Sequence, residues 1–588
     1  MRPLEFAVPL LLLLLPCVAQ SACKPVPGDS NWPPRRVWKQ LNQTVGGRLM
    51  ATVPLGSVCH PGGYGPRRPE PINETACGIL RDQWPFPPVF SASPADVMNA
   101  YFQNASCSPF YDTNGRCRLG NLASYSIAVS EAQHVIAGVQ FARDNNVRLA
   151  IKNTGHDFMG KSTGKGSLSL WMHNLNRREI IHNYTSSAYS GAALRMGAGT
   201  TGDQALSFAT AAGYVLVTGD CPTVGVAVGY ASGGGHGLLN NVHGMGADNV
   251  LEWEVVTADG RHLTASPDQN ADLYWALTGG GAGTFAVVLS VTYRLHPDVS
   301  VGAATLSFSR DFAPSKQAYE NAVQAWWLFL PTVVDAGAAP AFNLMPDQFL
   351  VHNTTGPNMT AAAMNALYAP YLAQLDQLGV SYDFATYTSP NFLEHFNATN
   401  GPLPDGPYTA SPLFNSRIIP LTVSQDASRA RNLTLAMMAV MDYDPSGANW
   451  QFGCQGVNVG DKNKRFTHPD NALAAYWRNA IAICLEYSLY DWDLPQSEML
   501  RRKQDLANII HPPIVAATID SGSYLNEADP LVYPMDQPSK WKDAFYGANY
   551  NRLRSVKDKW DPQSVFYART SVGSEDWTQD SEGRLCKA

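Results

Sequence analysis

Three glycine-rich segments, at 155–160, 219–237 and 279–283, each lie beside a predicted β-strand. Glycine has no Cβ, so at such places the main chain can approach a ligand closely and direct its N–H groups at anionic oxygens. Any one of these segments alone is explained by tight turns. Three of them, in a chain without a basic patch, favour a buried cofactor whose diphosphate is held by backbone amides.

Two of the segments match phosphate-binding motifs whose structural context is wrong. The run Gly155–Ser162 fits the pattern G-x-x-x-x-G-K-[ST], but a predicted strand follows it where a phosphate loop requires a helix. The run Gly281–Ala286 fits the pattern G-x-G-x-x-A, but a predicted helix precedes it and a strand follows. We therefore expect neither a nucleoside triphosphatase nor a nicotinamide-binding Rossmann domain.

The N-terminus of the chain predicts export. Arg2 precedes the apolar stretch Phe6–Val18, and small residues follow, which is typical of a secretory signal peptide spanning residues 1–22. No later segment of the sequence has the roughly 18 apolar residues that a membrane span needs. The chain of 588 residues has a net charge of −7 and no basic tract. We expect neither a nucleic acid nor a membrane as a partner.

The cysteine content agrees with export. Loss of the signal peptide leaves nine of the ten cysteines, so pairing in an oxidising compartment leaves one over. Which pairs form is open, but Cys221 has an unusual position inside a glycine-rich segment. A glycosylated surface is predicted by eight Asn-x-Ser/Thr sequences, at Asn42, Asn73, Asn104, Asn183, Asn353, Asn358, Asn397 and Asn432.

The order of predicted elements indicates an α+β fold. Helical periodicity predicts helices at Ala361–Leu378 and Ala472–Leu485, in a stretch that we interpret as a second domain. A further helix is predicted from Tyr550 to Trp560, where the following Asp-Pro pair ends it. We divide the mature chain into a disulfide-rich segment and three further parts, at 23–118, 119–300, 301–510 and 511–588.

Three motifs in this order carry a resemblance to a known family. The diphosphate loop of the vanillyl-alcohol-oxidase (PCMH) type of FAD domain is similar to the run Lys152-Asn153-Thr154-Gly155-His156-Asp157 with Gly160. The berberine-bridge-enzyme-like branch of that family resembles the chain in Gly219–Gly225 and Ser232–Gly237, and its closing segment resembles Asn549–Tyr567. The resemblance covers about residues 119–300 and 515–577. Within the branch, the chain is most similar to secreted fungal members, including those called isoamyl alcohol oxidases.

The resemblance implies an FAD-binding domain in two parts, with an α+β substrate domain inserted before the C-terminal part. It also implies an FAD bonded twice to the protein, through His156 and Cys221. A neutral imidazole can attack an activated ring methyl group and a thiolate can add to the ring edge, which would account for one unpaired cysteine. No metal is expected. The remaining cofactor-binding residues that the resemblance implies are Lys152, Asn153, Thr154, Gly155, Asp157, Gly160, Thr223, Gly225, Gly229, Gly233, Gly235, Gly237, Gly281, Gly283, Asn549 and Tyr550.

Two residues are candidates for catalysis by the same resemblance. Val224 is expected near the oxygen-reacting face of the flavin. Tyr524, in a Tyr-x-Asn pattern with Asn526, is expected to polarise or deprotonate a substrate hydroxyl if a nearby cation or the flavin lowers its pKa. In the region that corresponds to the glutamate of some plant members, this chain has Gln451, Gln455 and Asn458 instead. This departure argues against a ring-closing reaction.

The sequence therefore predicts a secreted oxidase that takes a hydride from an alcohol carbon to FAD, with reoxidation by dioxygen giving hydrogen peroxide. An oligosaccharide oxidase is one alternative, for which Trp326 and Trp327 could supply stacking, although a core position suits them better. A biosynthetic oxidase for a fungal metabolite is another. A flavin-loaded binding protein without turnover is the non-enzymatic alternative.

Overall fold

The structure is a computed structural model that describes residues 23–65, 71–445 and 447–588. The predicted signal peptide at 1–22 lies outside the described residues. In the described ranges, no helix combines the length and the apolar character needed to cross a bilayer.

Two sheets form the half of the molecule that contains the glycine-rich segments. The first has the strand order β1–β2–β4–β3, in which β2, β4 and β3 are parallel and β1 is antiparallel to β2; its strands are β1 (Leu49–Ala51), β2 (Tyr125–Ala128), β3 (Leu149–Lys152) and β4 (Leu168–Trp171). The second is antiparallel in the order β5–β6–β10–β8–β9; its strands are β5 (Arg178–Thr185), β6 (Ser190–Gly197), β8 (Val250–Val256), β9 (His262–Ala265) and β10 (Val287–Arg294). Strand β7 (Tyr214–Val215) pairs with β11 (His296–Pro297).

The third sheet is a seven-stranded antiparallel sheet in the order β15–β12–β14–β13–β17–β18–β16. Its strands are β12 (Val301–Ser309), β13 (Ala339–Leu344), β14 (Gln348–Pro357), β15 (Asp383–Ser389), β16 (Leu413–Pro420), β17 (Gln451–Gly456) and β18 (Ala480–Ser488). A short C-terminal pair, β19 (Trp577–Gln579) with β20 (Leu585–Lys587), completes the strands of the described residues.

Helices cover the sheets and connect them. The longer ones span Arg35–Thr44, Glu74–Gln83, Ala132–Asp144, Gly202–Thr210, Lys316–Asp335, Ala361–Leu378, Phe392–Asn400, Ala427–Met441, Gln496–Asp505, Pro538–Tyr546 and Tyr550–Trp560. The shorter ones span Pro87–Ser91, Ala100–Gln103, Ala231–Gly233, Asn240–His243, Ala271–Leu277, Thr422–Gln425 and His511–Ala517. The α+β class expected from the sequence is confirmed, whereas the division into four segments stays a prediction.

One predicted helix is wrong. Residues 480–488 form β18 instead of the end of a helix at Ala472–Leu485. This strand lies between β17 and β16, and most of its residues are buried on both faces of the sheet. A strand with two covered faces is apolar at successive positions, so its periodicity cannot be told from that of a buried helix. The helix at Ala361–Leu378 is confirmed, between the cap Thr360 and the left-handed Gly379.

Four disulfides join the cysteines of the described residues, and Cys221 is the free one. The pairs are Cys23–Cys586, Cys59–Cys77, Cys107–Cys117 and Cys454–Cys484. The prediction of one unpaired cysteine at this position is thereby confirmed. One glycosylation sequence does not suit its position, because Asn353 is 1% exposed and its amide contacts Thr355 and His395.

Candidate active site

The loop after β3 is shaped by Asp157. Its carboxylate accepts hydrogen bonds from the backbone N–H groups of Met159 (3.1 Å), Lys161 (2.6 Å) and Ser162 (3.0 Å), and from the Ser162 hydroxyl. Within this turn, Gly160 has φ +72° and an added Cβ would lie 2.5 Å from a ring carbon of a neighbouring phenylalanine. Asp157 therefore folds the second half of the loop by binding its amides.

The first half of the same loop leaves its amides free. Within the described part of the chain, the backbone N–H groups of residues 154–158 donate to no protein acceptor. Gly155, with φ +87°, permits the left-handed turn among them. Successive N–H groups without an internal acceptor form an anion-binding concavity. This segment fits the diphosphate of a dinucleotide cofactor.

The side chains that precede this segment face other parts of the protein. The Lys152 ammonium donates to the carbonyl oxygens of Phe90 (3.0 Å) and Ser93 (2.7 Å), and burial lowers its pKa to about 7. Asn153 Nδ2 donates to the carbonyl oxygen of Ala198 at 2.7 Å. Lys152 and Asn153 thus fix the start of the loop to neighbouring segments. Thr154, the next residue, is buried.

The two predicted attachment residues meet at one hydroxyl group. His156 Nε2 lies 2.8 Å from Thr223 Oγ1, and Cys221 Sγ lies 3.4 Å from the same oxygen. Burial, followed by the Lys152 cation, lowers the pKa of His156 to about 4, so its imidazole is neutral at physiological pH. Burial raises the pKa of Cys221 to about 11. A neutral imidazole and a thiol therefore both lie beside the hydroxyl group of Thr223.

The glycines divide into two groups by what surrounds them. At the half-buried Gly229 and Gly283, an added Cβ would have no atom within 4 Å, so open space adjoins the main chain there. At Gly233 and Gly237 an added Cβ would clash, at 2.2 Å from the Asn526 amide and 1.9 Å from the Thr218 carbonyl oxygen. The first pair can lie beside a cofactor, while the second pair permits close packing of the chain.

The remaining glycines of the predicted set have intermediate surroundings. Gly235, with φ +73°, packs its main chain against the Tyr230 ring, 2.6 Å from an added Cβ. Gly225 and Gly281 have their nearest atoms at ordinary van der Waals distances of 3.7 and 3.5 Å. Gly281 also donates its N–H to the carbonyl oxygen of Ser232 at 2.8 Å, which joins two glycine-rich segments.

Tyr524 lies against these glycines through the predicted Tyr-x-Asn pattern. Its phenol oxygen accepts hydrogen bonds from the Gly235 N–H (3.1 Å) and from Asn526 Nδ2 (2.8 Å), and the same amide donates to the Gly229 carbonyl oxygen at 2.8 Å. The phenol proton has no acceptor among the described residues. Burial, followed by the Glu527 carboxylate, raises the pKa of Tyr524. The lowered pKa on which a base role would depend is therefore not produced by the protein alone.

A charged pair beside Tyr524 is absent from the predicted set. His236 Nε2 lies 3.0 Å from Glu527 Oε1, and His236 Nδ1 lies 2.6 Å from Gln455 Oε1 on β17. Burial alone would lower the pKa of His236, but Glu527, followed by Asp220 and Gln455, raises it to about 9. The side chains of His236 and Glu527 are 15% and 22% exposed. They therefore form a partly buried ion pair.

Asp220 completes this cluster. Burial, countered by His236 and reinforced by Glu527, raises its pKa to about 6. Its Oδ1 atom is buried and has no hydrogen-bond partner among the described residues. A carboxylate that titrates near neutrality beside a cleft is a candidate proton acceptor.

The other predicted residues have the following places. Asn549 Nδ2 donates to the carbonyl oxygens of Ala472 (3.2 Å) and Leu473 (3.1 Å). The Tyr550 hydroxyl donates to Glu575 Oε1 at 2.5 Å. The polar groups of Asn549 and Tyr550 are thus engaged with protein, and they fix the C-terminal helix to the rest of the chain. Val224 is partly exposed directly after Thr223, and its side chain packs against the core.

Ion pairing and hydrogen bonds join the third sheet to the half of the molecule that contains the glycine-rich segments. Arg478 forms a two-point contact with the buried Asp248, at 2.6 and 2.9 Å. Asn241 Nδ2 donates to the carbonyl oxygens of Ala338 and Gly456 at 2.8 and 3.3 Å, at the end of β17. These contacts position Gln455 opposite His236. No group of three or more potential metal ligands occurs within the described residues.

Comparisons with known proteins identify the family. The family model for an FAD binding domain matches residues 123–266, and the model "Berberine and berberine like" matches residues 523–573. An FAD-linked oxidoreductase of Neocamarosporium betae is 57% identical over 96% of this chain and 95% of its own length. The chain therefore belongs to the FAD-linked oxidoreductases of the vanillyl-alcohol-oxidase type with a berberine-like C-terminal region.

Two solved structures bear on the fold. A VAO-type flavoprotein of Myceliophthora thermophila C1 superposes with a TM-score of 0.91 at 43% identity, covering 96% of this chain and 100% of that chain. The glucooligosaccharide oxidase of Acremonium strictum, which has a 6-S-cysteinyl, 8α-N1-histidyl FAD, superposes with a TM-score of 0.62 at 20% identity, covering 77% of this chain and 92% of its own. The predicted vanillyl-alcohol-oxidase type of fold is confirmed.

Proposed function

We propose that this protein is an exported oxidase in which an FAD, bonded to both His156 and Cys221, accepts a hydride from an alcohol carbon. The observation that carries the proposal is the convergence of His156 Nε2 and Cys221 Sγ on the hydroxyl of Thr223. A neutral imidazole and the single free cysteine of the described residues have no other evident reason to meet in a glycine-lined cleft. The bicovalent FAD of the Acremonium strictum enzyme supports the same linkage.

The cofactor would lie between the loop amides and the open glycines. The free N–H groups of residues 154–158 would bind the diphosphate, and the space beside Gly229 and Gly283 would admit the rest of the cofactor. Asp157 supports this arrangement by holding the loop in shape. When bound, the flavin supplies the two-electron acceptor for the hydride.

Two residues divide the proton chemistry. Tyr524 keeps its proton at neutral pH because burial and Glu527 raise its pKa, and we assign it the role of orienting the substrate oxygen by hydrogen bonding. Asp220 has the unpartnered carboxylate oxygen and a pKa of about 6, and we assign it the role of accepting the hydroxyl proton. Its place directly before Cys221 keeps it beside the proposed flavin.

Dioxygen is the proposed electron acceptor, with Val224 beside the reacting face. Val224 follows Thr223 directly and its side chain is only partly covered. A small aliphatic side chain at this position leaves room for a diatomic molecule without offering it a polar competitor.

A sugar substrate is the second candidate, on account of the similarity to a glucooligosaccharide oxidase. The two tryptophans considered for stacking do not support it, because Trp326 and Trp327 are both 0% exposed in the core. A small alcohol therefore remains the first candidate.

Export is proposed from the four disulfides and from the exposed positions of most glycosylation sequences. Digestion of the culture-medium protein with a glycosidase that removes N-linked glycans would lower its apparent mass. Retention of the whole product inside the cells, at an unchanged mass, would contradict export.

Aerobic incubation with a panel of alcohols, oligosaccharides and phenols tests the activity. We expect peroxide release with at least one alcohol, together with bleaching of the flavin when oxygen is removed. Peroxide release with sugars alone would favour the second candidate. Silence across the panel, with a flavin still reducible by dithionite, would favour a binding protein without turnover.

A further inference from the structure

Thr223 is the residue through which the two proposed attachment sites are connected. It is 7% exposed and lies two residues after Cys221, in contact with the loop that carries His156. Its Oγ1 atom is the hydrogen-bond partner of His156 Nε2 and of Cys221 Sγ. A hydroxyl group can accept and donate at the same time, so it can hold both residues together.

The contact with Thr223 makes the two nitrogens of His156 unequal. A neutral imidazole has one N–H and one nitrogen with a free lone pair, and the hydrogen bond of one nitrogen determines which is which. Only Nε2 is hydrogen-bonded, since Nδ1 has no partner in the described part of the chain. If Oγ1 accepts the Nε2 proton, the lone pair is left on Nδ1.

We propose that Thr223 is the positioning residue for flavin attachment: its hydroxyl accepts the Nε2–H of His156, leaves Nδ1 free to form the bond, and keeps Cys221 Sγ beside the same ring. This inference rests on the bicovalent linkage of the proposed function. It adds a residue that directs the attachment without being attached.

The reaction at His156 balances in the following way. The Nδ1 lone pair forms a bond to the methyl carbon at position 8 of the flavin, and that carbon loses one proton. The electron pair of the broken C–H bond stays on the ring system, which dioxygen then reoxidises. The proton from carbon and the proton released from His156 Nε2 complete the hydrogen peroxide. After attachment Nε2 has a lone pair, and Thr223 can reverse its role and donate to it.

Two variants at this position separate the hydroxyl from the shape of the side chain. Thr223→Val keeps the branched shape and removes the hydroxyl, whereas Thr223→Ser keeps the hydroxyl. The full-length protein would be denatured in acid, digested, and analysed by mass spectrometry for FAD on the peptides containing His156 and Cys221. A thermal melt of each variant would confirm that it is folded.

We expect the fraction of chains bonded at His156 to fall by about tenfold or more in Thr223→Val, by comparison with the loss in affinity when a metal-bound histidine loses its supporting hydrogen bond. Thr223→Ser is expected to restore it. Equal attachment at His156 in the valine variant and the wild type would overturn the inference while leaving the bicovalent proposal intact. An FAD released intact from the wild type in acid would instead refute the bicovalent proposal.

A measurement on the wild type does not depend on the folding of any variant. Nuclear magnetic resonance of the isolated flavin–histidyl peptide identifies which ring nitrogen is bonded to the flavin. We expect Nδ1. A bond at Nε2, the atom that faces Thr223, would overturn the inference.

Discussion

Replacing Glu527 by glutamine removes the negative charge that keeps His236 protonated while preserving the size of the side chain. The pKa of His236 is raised to about 9 in the folded protein, against about 6.5 in an unfolded chain. A difference of this size corresponds to about 3 kcal/mol of folding free energy, at 1.36 kcal/mol for each pKa unit. Both side chains are less than one quarter exposed, so solvent screening reduces this value only modestly.

The pH range of the effect follows from the direction of the shift. A raised histidine pKa contributes its full stabilisation below about pH 6.5, and this contribution is lost as the pH rises towards about 9. Between pH 6 and 10, the free energy of unfolding of the wild type should therefore fall by up to about 3 kcal/mol more than that of Glu527→Gln. In the variant, burial opposes the remaining effect of Asp220 and Gln455 on the pKa of His236, so that most of this loss should disappear.

Differential scanning calorimetry of both holoenzymes, at half-unit steps from pH 5.5 to 10, measures the comparison. The difference between the two melting temperatures cancels the titrating groups that do not interact with Glu527, which leaves His236 together with Asp220 and Tyr524. His236→Gln serves as the matched control and should resemble the glutamate variant in its pH dependence. If the melting temperatures of the wild type and Glu527→Gln change with pH in the same way across this range, the ion pair is refuted.

Three further changes test the site. Tyr524→Phe should slow substrate reduction of the flavin by about 10²-fold with unchanged flavin content, because it removes the hydrogen bond that orients the substrate oxygen; unaltered reduction in stopped-flow absorbance would remove the phenol from the reaction. The wild-type reduction rate should rise with pH through about 6 as Asp220 ionises; Asp220→Asn should abolish that rise, and a retained rise would assign it to another group. Asp248→Asn leaves Arg478 without its buried partner and should lower the free energy of unfolding by about 3–5 kcal/mol in a denaturant titration. A loss below about 1 kcal/mol would contradict the role of this ion pair in joining the third sheet to the glycine-rich half.

Much of the fold could be predicted because its signals are local. The helix at Ala361–Leu378 has its capping threonine and its terminal glycine within the same short stretch. The helix at Tyr550–Trp560 ends where a proline prevents its continuation. The strand at Ala480–Ser488 was missed because its burial depends on β16 and β17, whose pairing with it is not visible from its own residues.

Candidate site residues could be selected from the sequence where they lie in a motif, but contacts between distant parts of the sequence could not. His156 and Cys221 lie in motifs, and the structure brings both to Thr223. His236 is also inside a motif, but the residues that give it a charge, Gln455 and Glu527, lie 219 and 291 positions away. Sequence spacing gives no indication of such a contact; the one local signal for Glu527 is its position three residues after Tyr524.

The proposed linkage of the flavin can be measured directly on the purified wild-type protein. After removal of N-linked glycans and denaturation in acid, the intact mass should equal that of the disulfide-bonded chain plus one FAD, less two hydrogens for each of the two bonds formed. Peptide mapping should place those bonds at His156 and Cys221. A chain of unmodified mass, with the yellow colour left in the supernatant, would contradict the account.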